Sequence, residues 1–339
     1  MIKPGKHNLI TDVPGIQVGN AEDTELRSGV TVIKPEEPAV AAVDVRGGGP
    51  GTRETDAMSP DSLVDVVHAV VLSGGSSFGL DAAGGVMNAL SQKKIGFQLG
   101  DAVIPIVPCA ILFDLLNGGE KSWGDVSPYP ELARQALANC DIQFRLGNAG
   151  AGMGAVAGGL KGGLGSASFQ FDDGNQTITV AALAAVNSMG SLTMPGSPIM
   201  WAAPYEQNQE LGGQPLSQTR CLNDLDFTFE LPVGRNTTIV TVATDAKLTK
   251  TQARRVAIMA HDGLARAIRP VHSPFDGDSV FVLSTGKQTL SDSAVAFSRL
   301  GMLAADCVTR AIARGVFEAD SLGGFESYRS RYGQDLSQS

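Results

Sequence analysis

The sequence predicts an α/β sandwich, with helices on the outer faces of stacked sheets. Three observations predict it. Apolar runs of strand length are interspersed with helical spacing in no regular βαβ period and with no internal repeat. Several of those runs read as strands buried on one face, Thr177 to Val186 alternating among them. The 41 Gly residues fall at junctions between apolar runs rather than in low-complexity tracts, which suits tight turns and close packing.

Taken in order, Asn8 to Ile16 is turn-rich, Gly29 to Ile33 reads as a short strand, and Ala39 to Val45 as a second. The second runs into Arg46-Gly47-Gly48-Gly49-Pro50-Gly51, which reads either as backbone approaching a ligand or another chain closely or as a plain turn. Val67 to Ser73 is a strand, and Gly74-Gly75-Ser76-Ser77 leads into a helix to Leu90. No Gly-Lys-Ser/Thr follows, so this is not a nucleotide P-loop. Ala102 to Ile111 reads as one apolar strand and Glu131 to Ala138 as a short helix after Pro128-Tyr129-Pro130.

Gly147 to Gly159 is the richest glycine stretch. Gly152, Gly154 and Gly158 imitate a dinucleotide fingerprint, but the long crossover helix of a βαβ unit is missing. Ser166 to Phe171 and Thr177 to Val186 are strands, the second ending at Asn187. The polar run Tyr205 to Arg235 is the best linker in the chain. An apolar strand from Thr237 to Asp245 follows, and Thr249-x-x-Gln252 is a capping box for a helix that stops at Pro270. Asp276-Gly277-Asp278 precedes the strand Ser279 to Leu283. A last helix spans Ser293 to Arg314, and the tail from Glu318 reads as polar and loose.

Composition narrows the function. A net charge of −9 with no basic stripe argues against nucleic acid. No run approaches membrane-span length and the N-terminus has no apolar signal core, so the cytoplasm is the default and no membrane partner is expected. Cys109, Cys140, Cys221 and Cys307 are far apart and read as buried free thiols. His7, His68, His261 and His272 show no ligand spacing. Neither a metal nor a cofactor is expected.

Chemistry points to Asn236-Thr237. A Thr opening a buried strand is ordinary β-branched filler. If the bond before it breaks, however, Thr237 gains a free α-amine beside its own hydroxyl, and that amine can serve as base. Asn187, Lys161, Asp276 and Asp278 each have a dull explanation when taken singly: a strand-end turn, a solvated charge, a favoured Asp-Gly turn. Together they supply what amide hydrolysis needs: a nucleophile in Thr237, carboxylates to orient and polarise it, and a donor in Asn187 for the oxyanion.

Ile10 to Gly15, Ser28 to Val32, Leu72 to Leu80, Gly150 to Gly154, Gly234 to Thr238 and Asp276 to Asp278 resemble, in that order, the motifs of the DmpA-type N-terminal-nucleophile peptidases. That family includes β-peptidyl aminopeptidases and 6-aminohexanoate-oligomer (nylon-oligomer) endo-hydrolases. The resemblance implies an αββα sandwich like that of ornithine acetyltransferase. It also implies one peptidase domain over 1–339, self-cleaved into 1–236 and 237–339, and a homotetramer of such α/β pairs. Thr237 matches the nucleophile, and Asp276 and Asp278 the paired carboxylates of the nylon-oligomer branch. Asn187 and Lys161 match its further active-site Asn and Lys; Phe113, Gly150 and Gly152 fall where substrate is bound. The family often has Tyr where this chain has Phe113, which cannot donate a hydrogen bond. The implied substrates are short peptides or ω-amino-acid oligoamides. The alternatives are an exo-acting aminopeptidase on L-, D- or β-amino-acid peptides, an acyltransferase of the ornithine acetyltransferase kind, or an uncleaved binder.

Overall fold

A computed structural model describes residues 1–214 and 236–336, the side chains only as far as 333. Two sheets carry the architecture. The larger runs β1 (Ile2–Lys3), β13 (Gly163–Asp173), β14 (Gln176–Asn187), β15 (Thr237–Ala246), β16 (Ser279–Gln288), β4 (Ala39–Val45) and β6 (Val66–Val67). The smaller runs β2 (Ile16–Asp23), β3 (Ser28–Pro35), β7 (Val70–Ser73), β10 (Cys109–Ile111) and β5 (Thr52–Arg53). Two hairpins stand apart, β8 (Phe97–Leu99) with β9 (Ala102–Ile104) and β11 (Val156–Ala157) with β12 (Leu160–Lys161).

Strand alternation sorts the side chains into layers. Ala182, Ala184, Val186, Val240 and Val242 face α3 (Lys250–Ala267) and α4 (Ala294–Phe317), which cover the larger sheet. Ala181, Leu183, Ala185, Ile239 and Ala243 face the other way, onto Ile33, Val70, Leu72 and Ala110 of the smaller sheet. The outer face of that sheet packs Val30, Val32 and Val71 under α1 (Ala82–Gln92) and α2 (Tyr129–Ala138). The result is the expected αββα sandwich. β15 is buried along its whole length because it lies mid-sheet and is covered on both faces.

The capping box before α3 forms as expected, with the Thr249 side chain accepting from the Gln252 N–H. Three local expectations are corrected. The 67–73 run is not one strand: Val66–Val67 pairs with β4 in the larger sheet and Val70–Ser73 with β3 in the smaller, so the chain changes sheets between them. The 102–111 run is broken by Pro105 and Pro108, which cannot donate to a ladder, into β9 and β10. The tail is docked rather than loose. Tyr328, at the start of α5 (Tyr328–Leu336), is fully buried and donates to the Pro198 carbonyl at 2.6 Å.

In the run expected to be a linker, Ala203–Tyr205 forms a 3₁₀ turn and the Glu206 carboxylate takes the N–H groups of Leu211, Gly213 and Gln214. Its remainder, 215–235, with Cys221, Gly234 and Arg235, lies outside the described residues. Cys109 and Cys307 are buried and Cys140 half-buried. Among the described residues, no helix is long and apolar enough to cross a membrane, and no group of three or more His, Cys, Asp or Glu is placed to hold a metal ion.

Candidate active site

Strand direction gathers the site. β15 and β16 are parallel, joined by the α3 crossover, so both begin at the same end of the sheet. β14 is antiparallel to β15 and therefore ends there, which sets Asn187 opposite Thr237. A further bridge joins Asn236 to Asp276, and the register brings Asp276-Gly277-Asp278 level with Thr237. Residues far apart in sequence are thus neighbours because they occupy strand ends.

Thr237 is buried, and its hydroxyl donates to the carbonyl of Asn236, the residue before it. The Thr238 N–H donates to Asp278 Oδ1 at 2.8 Å. Gly277 runs directly under the Thr237 side chain: a methyl there would sit 2.7 Å from Thr237 Oγ. The run after β4 closes the floor. Gly47 N donates to the Asp278 carbonyl, Gly48 N to the Ser273 carbonyl and Gly49 N to the Asp276 carbonyl. A Cβ on Gly47 would lie 2.3 Å from the Asp276 carbonyl oxygen, so of the two readings of this glycine run the close approach of another chain segment is the one realised.

The two aspartates differ. Burial, and then the neighbouring Asp278, raise the Asp276 carboxyl above its ordinary range; the Ser273 N–H at 2.8 Å acts in the opposite sense. Asp278 binds the Thr238 N–H through one oxygen and, through the other, the His272 N–H at 3.1 Å and His272 Nδ1 at 2.8 Å.

Asn187 Oδ1 accepts from the Val156 N–H at 2.9 Å, and its Nδ2 donates to the Phe113 carbonyl at 3.3 Å. Phe113 thus contacts Asn187 through its main chain, and its side chain supplies no hydroxyl. Lys161 pairs across the β11–β12 hairpin with Val156 and so lies one residue from the Asn187 contact. It is buried, donating to the carbonyls of Gly152 at 3.0 Å and Gly162 at 2.6 Å. Burial pulls its ammonium down to about 7, with Asp114 opposing.

Gly150 and Gly152 are buried beneath the hairpin. Gly152 supplies the Lys161 acceptor, while Gly150 presses on Thr31 and Asn20 of the smaller sheet. The structure thus brings Thr237, Asn236, Asn187, Asp276 and Asp278 together and joins Phe113 to Asn187 by a hydrogen bond; Lys161, bonded to Gly152, sits opposite the Val156 that donates to Asn187, and Gly150 lies in packing. Sequence reasoning missed His272, because His272-x₅-Asp278 is a loop contact that matches neither metal spacing nor helical periodicity.

A family model described as Peptidase family S58 matches residues 8–330. The chain belongs to peptidase family S58. An uncharacterized aminopeptidase of Mycobacterium tuberculosis is 41% identical over 96% of this chain and 98% of its own. A 6-aminohexanoate-oligomer endohydrolase of Kocuria sp. is 28% identical over 83% and 76%. The solved L-aminopeptidase D-Ala-esterase/amidase of Ochrobactrum anthropi, described as a variant of the Ntn hydrolase fold, superposes with a TM-score of 0.71. It covers 98% of this chain and 96% of its own and, at 21% identity, speaks for the fold alone. S58 membership makes this a hydrolytic peptidase and agrees with the resemblance carried by the ordered motifs.

Proposed function

We propose that the chain is a self-processing N-terminal-threonine amide hydrolase acting on short peptides or ω-amino-acid oligoamides such as 6-aminohexanoate oligomers. The observation that carries this is the Thr237 hydroxyl against the Asn236 carbonyl, inside a buried ring of Asn187, Asp276 and Asp278.

In the first stage Thr237 Oγ attacks the Asn236 carbonyl carbon, an O–C bond forms and the C–N bond breaks. The hydroxyl proton ends on the released α-amine, leaving an ester that water hydrolyses. In the second stage that amine is the base for its own hydroxyl against a substrate amide, and Asn187 Nδ2 steadies the oxyanion. Water then clears the acyl-enzyme. The segments 1–236 and 237–339 remain paired after cleavage, because β14 and β15 share an eight-residue antiparallel ladder from Val180↔Thr244 to Asn187↔Thr237. The working unit in this proposal is a cytoplasmic homotetramer of such pairs.

Intact-protein mass spectrometry tests it. Wild type yields fragments meeting at Asn236/Thr237, Thr237→Ala yields one uncut chain, and two fragments from that variant refute the assignment. An exo-acting aminopeptidase is the second reading, favoured because the relatives at 41% identity are named aminopeptidases while the endohydrolase stands at 28%. Blocking the amine of a short oligoamide abolishes hydrolysis by an exopeptidase and spares an endohydrolase.

A further inference from the structure

We propose that His272 is a positioning residue for the active site: it fixes the Asp278 carboxylate so that β15 begins with Thr237 held against Asn187. This rests on the reading of Thr237 as the nucleophile. Asp278 is 2% exposed and bridges two elements, taking the Thr238 N–H on Oδ1 and both the main-chain N–H and Nδ1 of His272 on Oδ2. A carboxylate only accepts, so Nδ1 carries the proton. Without the imidazole, Oδ2 keeps a single N–H at 3.1 Å. The carboxylate is then free to turn, and the anchor on the residue directly after Thr237 turns with it.

The imidazole is itself held from behind. His261 on α3 meets it edge to face, with ring centroids 4.9 Å apart and planes at 75°. His261 Nε2 lies 3.0 Å from the Asp44 carbonyl and 3.4 Å from its carboxylate, and Asp44 in turn takes Arg46 Nε at 2.9 Å. The Asp44 carbonyl requires Nε2 to be the donor, and burial drags the His261 ring down to about 4, so it packs as a neutral group. Among the described residues, Asp276, Asp44, Arg46 and His261 lie around the His272–Asp278 pair, and His272 Nδ1 faces Asp278 Oδ2 at 2.8 Å.

The backbone decides which substitutions test this fairly. His272 has φ +55°, a left-handed conformation that costs a β-carbon residue energy and that Asn or Gly adopts more easily. Asn accepts the same backbone and places its Nδ2 near the position of the imidazole Nδ1. Gly accepts the backbone and supplies no donor.

The test compares His272→Asn and His272→Gly in the full-length chain. The readouts are the appearance of the 237–339 fragment during cell-free synthesis and the steady-state hydrolysis of an amino-acid p-nitroanilide. His272→Gly is expected to cleave itself about 10- to 100-fold more slowly and to lose kcat by the same order, with KM within about twofold. His272→Asn is expected within about threefold of wild type on both. Wild-type cleavage by the Gly variant overturns the proposal, as does an Asn variant as slow as the Gly variant. A loss confined to KM also overturns it, since that would place the ring in substrate binding. These outcomes are separate from failure of the Thr237 reading, which shows as cleavage of Thr237→Ala.

Discussion

Gly277→Ala tests the attack geometry without touching any group proposed to do chemistry. The added methyl would sit 2.7 Å from Thr237 Oγ, 3.1 Å from Thr237 Cγ2 and 3.0 Å from the Gly49 carbonyl oxygen. All three are shorter than an ordinary carbon contact of about 3.5 Å. The Gly49 carbonyl has little freedom to retreat, because the Gly49 N–H is bonded to the Asp276 carbonyl at 2.8 Å. Gly277 is not among the positive-φ residues, so alanine meets no backbone penalty there. What yields is the Thr237 side chain. It either leaves its rotamer by tens of degrees, at roughly 0.5–1.5 kcal/mol, or turns to another staggered well. Either movement takes the hydroxyl off the Asn236 carbonyl. Overpacking of this size costs about 1–3 kcal/mol of stability, whereas misplacing a reacting atom by about 1 Å costs ~10² in rate.

The expected result is therefore a selective one. Fragments of Gly277→Ala appear ~10²-fold more slowly in a mass-spectrometric time course, while far-UV spectra and cooperative melting persist. Stability is best compared in the uncut Thr237→Ala background, where the hydroxyl is gone and part of the clash with it. There the methyl should cost less than in Thr237→Val, which also stays uncut and keeps heavy atoms at the Oγ and Cγ2 positions. Cleavage of Gly277→Ala at the wild-type rate would refute the placement of the Thr237 hydroxyl. An equal stability cost in both backgrounds would refute the clash as its cause.

Further outcomes follow from the neighbouring contacts. Asn187→Ala should lower kcat by ~10²–10³ and leave KM nearly unchanged, measured on processed enzyme; equal losses in both argue against an oxyanion role. His261 has a folded value of about 4, below its unfolded 6.5, so the unfolded chain binds more protons between those values. Its contribution to stability is thus present above pH 6.5 and lost as the pH falls towards 4. In urea titrations at pH 7 and pH 4.5, His261→Phe should narrow the wild-type gap between the two midpoints, and an unchanged gap contradicts the assignment. Tyr328→Phe removes the donor to the half-buried Pro198 carbonyl and the acceptor for the buried Gln214 Nε2, and should cost about 1–3 kcal/mol in denaturant unfolding. No measurable change would mean that the tail is not docked as described.

Much of the fold was legible because its signals are local. The β-rich runs that became β13, β14, β15 and β16, and the capping box before α3, appear in windows of a dozen residues. What failed was local too, but depended on sheet membership. Val67 to Ser73 is apolar but for His68 and the closing Ser73, and reads the same whether it stays in one sheet or crosses between two. The tail looked loose because its polar composition hides one buried aromatic, Tyr328, whose hydroxyl is satisfied by partners more than 100 residues away. His272 gave no periodic signal at all, since its contact is made by a loop.

The two aspartates show most clearly what three dimensions add. In the sequence Asp276 and Asp278 are equivalent members of a turn motif, and a resemblance can only assign them jointly. Alternation across Gly277 gives them unlike surroundings. Asp278 is tied through both oxygens to N–H donors on β15 and on the His272 loop, so its place in the site is to hold the strand that carries Thr237. Asp276 is buried beside that carboxylate, and the two effects together raise its carboxyl. In the proposed mechanism, Asp276, its carboxyl raised by burial and by Asp278, is the member of the pair assigned to exchange a proton as Thr237 attacks. An Asp276→Asn variant should lose that exchange while keeping the strand in register, whereas Asp278→Asn, deprived of an acceptor for one of its N–H donors, should disturb the register itself.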